Sequence, residues 1–161
     1  MGKAILLCGK IASGKSWYAR QLMEQSPALL LSVDEVTARL FNNALGDAHD
    51  AMCAKIQSYL LDKAAEAFRA GADVILDWGF WTSADRRAAT DFFRRREIPV
   101  EWHYMDVPDE VWRENIARRN AAVLAGEDAS FYVDEGLMGK LLAKFEPPLP
   151  EEMDVVYRRE G

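Results

Sequence analysis

The residues with the clearest chemical purpose form a glycine-rich loop near the start of the chain. Residues 9–16 read Gly-Lys-Ile-Ala-Ser-Gly-Lys-Ser and match the phosphate-binding pattern G-x-x-x-x-G-K-[ST] in full. In such loops the backbone N–H groups surround nucleotide phosphates, the lysine reaches the β- and γ-phosphates, and the final hydroxyl ligates Mg²⁺. We therefore predict that the chain binds a nucleoside triphosphate, with Lys15 and Ser16 in those two roles. The predicted nucleotide contacts are Gly9, Lys10, Ile11, Ala12, Ser13, Gly14, Lys15, Ser16 and Trp17.

The segments on either side of this loop strengthen the prediction. Residues 4–8 are an apolar run typical of a buried strand, and residues 17–25 have the pattern of a helix. A strand, a loop and a helix in this order direct the positive end of the helix dipole at the phosphates. An ordinary glycine-rich turn between a strand and a helix is the alternative.

An acidic residue follows the second predicted strand, residues 28–33. Asp34 is expected at the carboxyl edge of the sheet, where ligands bind in such folds. A carboxylate there can accept the proton of an attacking hydroxyl during phosphoryl transfer. The alternative is that Asp34 caps the next helix, since Asp is favoured at the N-cap position.

Further charged residues suggest a metal ligand and stabilisers of phosphate charge. Asp77 follows the apolar run 74–76, a pattern that predicts a carboxylate holding Mg²⁺ directly or through water. Arg113, Arg118 and Arg119 lie on or just after the fifth predicted helix, where guanidinium groups can neutralise the transferred phosphoryl group. The alternatives are a strand-terminal turn residue for Asp77 and a solvated basic helix face for the arginines.

The rest of the chain alternates between strand and helix patterns. This alternation predicts a mostly parallel sheet covered by helices on both faces. Residues 121–132 have little periodicity and predict a mobile flap after the paired arginines. Further helices are predicted over residues 35–43, 50–69, 82–96, 134–145 and from 108 onward, and further strands over 100–107 and 153–157.

Length and composition narrow the function classes. A chain of 161 residues that is 50% hydrophobic predicts one domain with a sizeable core, residues 1–161. The net charge of −6 argues against long nucleic acids as partners. No apolar run approaches the roughly 18–20 residues that span a bilayer, so we expect no membrane segment and a cytoplasmic location. Cys8 is expected in the core, and His49 and His103, which lack metal-ligand spacing, are expected to be structural or exposed.

Three aromatic residues and two arginines come directly after the third strand. Trp78, Phe80 and Trp81 could form the wall of a pocket for a flat or apolar acceptor, or could pack beneath the following helix. Arg86 and Arg87 could contact a substrate or occupy an exposed helix start.

Several of these segments together resemble a known family. The glycine-rich loop, Ser-Val-Asp at 32–34, Asp-Trp-Gly-Phe-Trp at 77–81, Arg-Arg-Asn at 118–120 and Phe-Glu-Pro-Pro at 145–148 are similar to those of small P-loop kinases. These kinases are related to zeta toxin, chloramphenicol phosphotransferase and 5′-polynucleotide kinase. The resemblance covers nearly the whole chain, and its more discriminating parts are the segments at 77–81 and 145–148.

The resemblance implies both a fold and a reaction. It implies a nucleoside-monophosphate-kinase-like, three-layer α/β/α fold with a five-stranded parallel sheet in the order 2-3-1-4-5. It also implies transfer of the γ-phosphate of ATP to a hydroxyl, with Asp34 as general base. Arg118 and Arg119 match the lid arginines, and the loop at 145–148, which includes Pro147, would border the adenine. Together with the weakly periodic stretch after the arginines, this predicts a lid of about residues 119–133.

The sequence therefore predicts an ATP- and Mg²⁺-dependent kinase with a small-molecule hydroxyl acceptor, and it predicts no oligomeric state. A kinase for 5′-hydroxyl nucleic acids is one alternative. Polynucleotide kinases usually carry an arginine three residues after the base, where this chain has Thr37, and Arg39 is the possible replacement. A nucleotide-binding switch or regulatory ATPase is the other alternative. The sequence lacks the Asn-Lys-x-Asp motif of guanine recognition, which argues against a GTPase switch.

Overall fold

A parallel sheet forms the centre of the computed structural model, which describes residues 2–128 and 132–158. Its strands are β1 (Ala4–Cys8), β2 (Leu29–Ser32), β3 (Val74–Gly79), β4 (Val100–Asp106) and β5 (Val155–Arg158). They lie in the order β2-β3-β1-β4-β5, and every pairing is parallel. The predicted fold class and strand order are confirmed.

Helices connect these strands. They are α1 (Lys15–Gln25), α2 (Val33–Phe41), α3 (His49–Arg69), α4 (Ser83–Arg94), α5 (Asp109–Leu124) and α6 (Glu135–Lys144). Short 3₁₀ turns occur at Gly46–Ala48 and Pro150–Glu152. In the described part of the chain no helix is both long and apolar enough to cross a membrane.

Strand β1 contributes to the core on both of its faces. Leu6 and Cys8 pack with Phe93 of α4 and with α3, whereas Leu7 on the opposite face packs with Tyr18 of α1. The side chains alternate because successive residues of a strand point to opposite faces. The two buried layers make the sheet the middle of three layers, and the predicted burial of Cys8 is confirmed.

Helix α2 begins earlier than its sequence pattern suggests. Its N-cap is Ser32, whose Oγ accepts a hydrogen bond from the backbone N–H of Glu35 at 3.3 Å. Val33 is already helical and packs with Ile56 of α3. Asp34 therefore lies in the first turn of the helix, and the alternative that it is the N-cap is wrong.

Helix α5 extends further than expected. It continues to Leu124, so the first four residues of the predicted flap, 121–124, are helical. Ala121 and Ala122 explain this difference, since alanine has the highest helix propensity of all residues. Residues 129–131 of the predicted flap lie outside the described part of the chain.

The turn after β3 depends on a glycine. Gly79 and Phe80 both have positive φ, 84° and 47°, and this turns the Phe80 ring into the core between Trp78 and Trp102. The Gly79 carbonyl accepts a hydrogen bond from the Gly9 N–H at 3.0 Å. A Cβ atom on Gly79 would lie 2.5 Å from the Trp81 Nε1 and 3.0 Å from the Gly9 carbonyl oxygen.

We expect Gly79→Ala to destabilise the protein by about 1–3 kcal/mol, because a Cβ atom meets both backbone strain and a close contact. The matched control is Gly139→Ala in α6, where an added Cβ meets nothing within 4 Å. Alanine there should stabilise the helix by roughly 0.5–1 kcal/mol. Urea unfolding measures both free energies, and equal effects of the two variants would contradict this account of the turn.

Candidate active site

The glycine-rich loop leads directly into the N-terminus of α1. Gly14, at φ 93°, is the N-cap, no side chain caps the helix, and its first turn contains no acidic residue. The N–H groups of a first helical turn have no partner within the helix. Together with the helix dipole they form a binding site for an anion such as phosphate.

Lys15 lies against its own loop. Its Nζ donates hydrogen bonds to the carbonyl oxygen of Lys10 at 2.7 Å and to that of Gly9 at 3.2 Å. Burial lowers the pKa of the Lys15 ammonium, while the Asp77 and Asp34 carboxylates act in the opposite direction. A phosphate group beside Lys15 would favour the charged form of this ammonium.

Asp77 is the single acidic residue of β3 and is only 5% exposed. Burial raises the pKa of its carboxyl group, against the lowering effects of Lys15 and of a hydrogen bond from Ser16. The Ser16 Oγ donates that bond to Asp77 Oδ2 at 3.1 Å. Hydroxyl and carboxylate oxygens side by side are the type of ligand that Mg²⁺ prefers.

A cleft of about 420 Å³ beside the loop, which we call the phosphate cleft, brings most of the predicted site residues together. Asp34, Asp77, Arg118 and Arg119, which lie far apart in the sequence, all line it. The loop and α1 contribute Ile11, Ala12, Gly14, Lys15, Ser16 and Trp17.

The remaining predicted loop residues lie behind this cleft. Gly9 and Ser13 are buried, and the Ser13 N–H donates to the Lys10 carbonyl at 3.2 Å. The Lys10 Nζ pairs with Asp109 Oδ1 at 3.2 Å and lies 4.8 Å from the centre of the Trp112 ring. The side chain of Lys10 thus joins the loop to α5.

Two residues of α5 that hold the loop were missed by the sequence reasoning. The Trp112 Nε1 donates to the Ile11 carbonyl at 2.6 Å, and the Asn115 Nδ2 donates to the Ala12 carbonyl at 3.0 Å. Ala12 has a φ of 56°, which is uncommon for a non-glycine residue. The spacing of Trp112, Asn115 and Arg119 along one helix face was the available signal.

A second cavity, of about 550 Å³, lies on the other side of Asp34. Trp78, Phe80 and Trp81 line it, so we call it the aromatic cavity. Trp78 and Phe80 also pack against the core beside α4, as the second alternative for this segment predicts, whereas the role of the cavity as an acceptor pocket stays a prediction. Asp34 lines both the phosphate cleft and the aromatic cavity.

The segment 145–148 lies against the turn after β3. The Glu146 N–H donates to the Trp81 carbonyl at 2.8 Å, and the Glu146 Oε2 accepts from the Ser83 N–H at 2.8 Å. The Phe145 ring stacks on Tyr104 with centroids 6.3 Å apart. Pro147 does not line the phosphate cleft, so the described geometry does not bring it together with the other predicted nucleotide contacts.

Arg86 has a structural role that neither of its predicted interpretations describes. Its guanidinium is 3% exposed, pairs with Glu152 Oε1 at 3.1 Å and donates to the Phe80 carbonyl at 2.9 Å. The interpretation as an exposed helix start is wrong for this residue, because its side chain is buried and pairs with Glu152, 66 residues away, whereas the substrate contact stays a prediction. Arg87 is exposed.

The remaining charged candidates also have definite positions. Arg113 points to α6, where its Nη1 lies 4.0 Å from Glu135 Oε2. His103 is buried between the Tyr18 hydroxyl and Glu101, each at 2.6 Å, as expected for a structural histidine. His49 lines the aromatic cavity, with its Nε2 3.5 Å from Cys53 Sγ.

The segment after the paired arginines is attached at both ends. Arg118 and Arg119 lie within α5. The Asn120 side chain exchanges two hydrogen bonds of 2.8 Å with the backbone of Val133, which is 2% exposed. These two hydrogen bonds join the C-terminal part of α5 to Val133.

The strand order, together with a phosphate-binding loop between β1 and α1, defines the class of small P-loop α/β proteins. A family model described as an AAA domain matches residues 5–148, and the chain belongs to that family. A search of curated proteins gave no significant match.

Solved structures of small kinases share this fold. A sugar kinase from Janibacter sp. HTCC2649 superposes with a TM-score of 0.69 at 17% identity, covering 98% of this chain and 86% of its own. The APS kinase from Mycobacterium tuberculosis, in complex with AMPPNP and APS, gives 0.61 at 19%, covering 99% and 90%. A gluconokinase from Sinorhizobium meliloti 1021 gives 0.63 at 14%, covering 97% and 82%.

We expect Asp77→Asn to stabilise the protein at neutral pH. Folding raises the pKa of Asp77. The stability that this group contributes is therefore present below its pKa in the unfolded chain, about 3.8, and is lost as the pH rises through its pKa in the folded protein. Asparagine avoids that loss and keeps an oxygen acceptor for Ser16.

Thermal unfolding from pH 4 to pH 8 measures this effect, and the gain in melting temperature should shrink toward the acid end. The control is Asp62→Asn on the exposed face of α3, which should change stability by less than about 0.5 kcal/mol. A gain in melting temperature that does not depend on pH would contradict the electrostatic explanation.

We expect Trp112→Phe to weaken nucleotide binding by up to roughly tenfold, since it removes the donor to the Ile11 carbonyl. The matched control is Trp102→Phe, which also loses a buried indole hydrogen bond, to Thr90 Oγ1 at 3.0 Å, but lies in the opposite layer. Both variants should lose stability. Calorimetric titration with an ATP analogue below both melting temperatures should reveal weaker binding for Trp112→Phe alone.

Proposed function

We propose that the protein is an ATP- and Mg²⁺-dependent kinase that transfers a phosphoryl group to a hydroxyl of a small molecule. The observation that carries this proposal is the position of Asp34 between the phosphate cleft and the aromatic cavity. A carboxylate between the donor and the acceptor can orient the attacking hydroxyl and accept its proton. The sugar kinase, gluconokinase and APS kinase with the same fold support a small-molecule acceptor.

The phosphate cleft has the charges that an ATP-binding site needs. The backbone N–H groups at the start of α1 and the Lys15 ammonium would contact the phosphates. The guanidinium groups of Arg118 and Arg119 would neutralise negative charge on the transferred group. The AMPPNP in the structure of the APS kinase supports ATP as donor.

The oxygen ligands beside Lys15 fit Mg²⁺. Kinase sites hold this ion with one or two protein oxygens, the substrate phosphates and water. The Ser16 hydroxyl and the Asp77 carboxylate would supply the protein oxygens. When bound, the ion offsets the phosphate charge.

The proposed transfer forms one bond, breaks one bond and releases one proton. The acceptor oxygen forms a new bond to the γ-phosphorus, and the bond from that phosphorus to the β–γ bridging oxygen breaks, leaving ADP. The hydroxyl proton passes to the Asp34 carboxylate and then to water. Asp34 is solvent-exposed, so this last transfer has a direct path.

We further propose that the segment between Asn120 and Val133 closes over the bound nucleotide as a lid. Its described residues Ala122 and Asp128 line the phosphate cleft beside Arg118 and Arg119. A lid of this kind would exclude water, which otherwise competes with the acceptor for the phosphoryl group.

Two observations disfavour a nucleic-acid kinase. Thr37 is 2% exposed, and its hydroxyl donates to the Asp34 carbonyl at 3.0 Å, so it reaches no substrate. Arg39, the possible replacement for the missing arginine, is exposed and pairs with Glu35 at 3.3 Å. Arg39 lines neither the phosphate cleft nor the aromatic cavity.

The variant that separates a kinase from a regulatory ATPase is Asp34→Asn. Because the N-cap of α2 is Ser32, this change removes a carboxylate without removing a cap. Binding of ATP should persist, while transfer to the acceptor should fall by about 10²–10⁴-fold, the usual contribution of acid–base catalysis. Part of the loss would reflect a displaced acceptor.

The measurement is single-turnover transfer to the acceptor, with ATP affinity determined separately. Lys15→Ala is the companion variant, and it should lose ATP affinity as well as turnover. Near-wild-type transfer by Asp34→Asn would remove this residue from the mechanism. If no acceptor supported transfer, a regulatory ATPase would then be the better description.

A further inference from the structure

The aromatic cavity has a strongly acidic wall. Four carboxylates and one amine line it. The amine is that of Lys144, and the carboxylates are those of Asp34, Asp50, Asp85 and Glu146. Within the described part of the chain none of these four carboxylates forms an ion pair. The Glu146 Oε2 accepts one hydrogen bond from the backbone of Ser83. The cavity therefore carries excess negative charge that its own side chains do not neutralise.

Cys53 and His49, which also line the cavity, add no negative charge to it. Burial raises the pKa of the Cys53 thiol, with smaller contributions from Asp34 and Asp50, so the thiol is neutral at pH 7. The His49 Nε2 lies 3.5 Å from Cys53 Sγ. The negative charges of the cavity are therefore those of its carboxylates, and Lys144 adds a positive one.

The balance of charge differs between the two sides of Asp34. On one side the phosphate cleft presents Lys15, Arg118 and Arg119, which suit the phosphates of a nucleotide, together with Asp34, Asp77 and Asp128. On the other side the carboxylates of the aromatic cavity would repel an acceptor that carries phosphate, sulfate or carboxylate groups. They would attract a cationic acceptor.

The aromatic residues suit the same kind of ligand. Trp78 and Trp81 line the cavity together with the carboxylates, and a cation over an indole face is attracted by the ring. Both rings are held in position. Trp78 packs on Phe80 with centroids 4.9 Å apart, and the Trp81 Nε1 donates to the Gly9 carbonyl at 3.2 Å.

We infer that the acceptor is a small alcohol that also carries a protonated amine, such as an amino sugar or an amino alcohol. The inference rests on the proposed kinase function and specifies its acceptor. The ammonium group binds among Asp50, Asp85, Glu146 and the two tryptophan side chains, and the reacting hydroxyl lies at Asp34. A cavity of about 550 Å³ has room for an acceptor of one or two rings.

Acceptors that differ only in charge test this inference. Wild-type protein with ATP and Mg²⁺ is given glucosamine, N-acetylglucosamine, glucose and gluconate, followed by amino alcohols and aminocyclitols with their N-acetyl derivatives. ADP release and the phosphomonoester product give kcat/KM for each compound. The inference expects the protonated amine of each set to have the highest value. Equal or better values for neutral or anionic members would overturn it and leave the kinase proposal standing.

A charge-neutralising variant identifies the cause of such a preference. Loss of one exposed carboxylate should raise the KM of the amine acceptor by about 1.5- to 5-fold. The double variant Asp50→Asn with Asp85→Asn should therefore raise it by about 2- to 25-fold. The KM of an N-acetyl acceptor and the affinity for ATP should not change. The control has the same net charge, Glu24→Gln with Asp62→Asn on exposed faces of α1 and α3. Equal effects of the two double variants would overturn the inference.

Binding measurements separate this inference from the kinase proposal. Calorimetry of the wild-type protein with Mg²⁺ and AMPPNP measures the affinity for the same compounds without turnover. Tighter binding of amines than of their N-acetyl forms, in a protein that transfers no phosphate, would support the cation site and contradict the kinase. The absence of any preference for amines in binding as well as in turnover would overturn the inference itself.

Discussion

The hydrogen bonds between the glycine-rich loop and the turn after β3 are the constraint on which the site depends. The Gly9 N–H donates to the Gly79 carbonyl, and the Gly9 carbonyl accepts from the Trp81 indole. Both contacts require Gly79 to adopt a positive φ and to have no Cβ atom, since that atom would overlap Trp81 and Gly9. The pairing of β1 with β3 shifts register at this point, where Cys8 pairs with Gly79. One glycine thus positions the phosphate loop and the aromatic wall relative to each other.

Helix α5 holds the same loop from the other side. Its Trp112 and Asn115 donate to the carbonyls of Ile11 and Ala12. Side-chain donors thus occupy these two carbonyls and also that of Gly9, which accepts from Trp81. The amide N–H groups at the start of α1 are left to bind an anion. Because Arg118 and Arg119 follow on the same helix, the groups proposed to neutralise the phosphoryl charge are fixed relative to the loop.

Local sequence signals predicted much of this arrangement, and long-range contacts account for what they missed. The loop pattern and the strand ends put Lys15, Asp34 and Asp77 in one cleft, since strand ends of a parallel sheet meet at one edge. The role of Arg86 depends on Glu152, 66 residues away, and no local pattern encodes that pair. Asp34 is not the cap of α2 because the helix begins two residues earlier than expected. It begins at Val33, which is buried against α3. Boundaries of this kind follow from tertiary packing rather than from propensity.

The electrostatics of the site favour ligand binding over stability of the protein alone. Burial acts against the charged form of both central groups, because it lowers the pKa of Lys15 and raises that of Asp77. Their mutual attraction offsets the cost of burial only in part. A nucleotide phosphate would give Lys15 the negative partner that favours its charged form, and a divalent cation would do the same for Asp77. The groups that cost the unliganded protein stability are therefore those that a metal–nucleotide complex would stabilise, so ligand binding and folding stability are linked at this site.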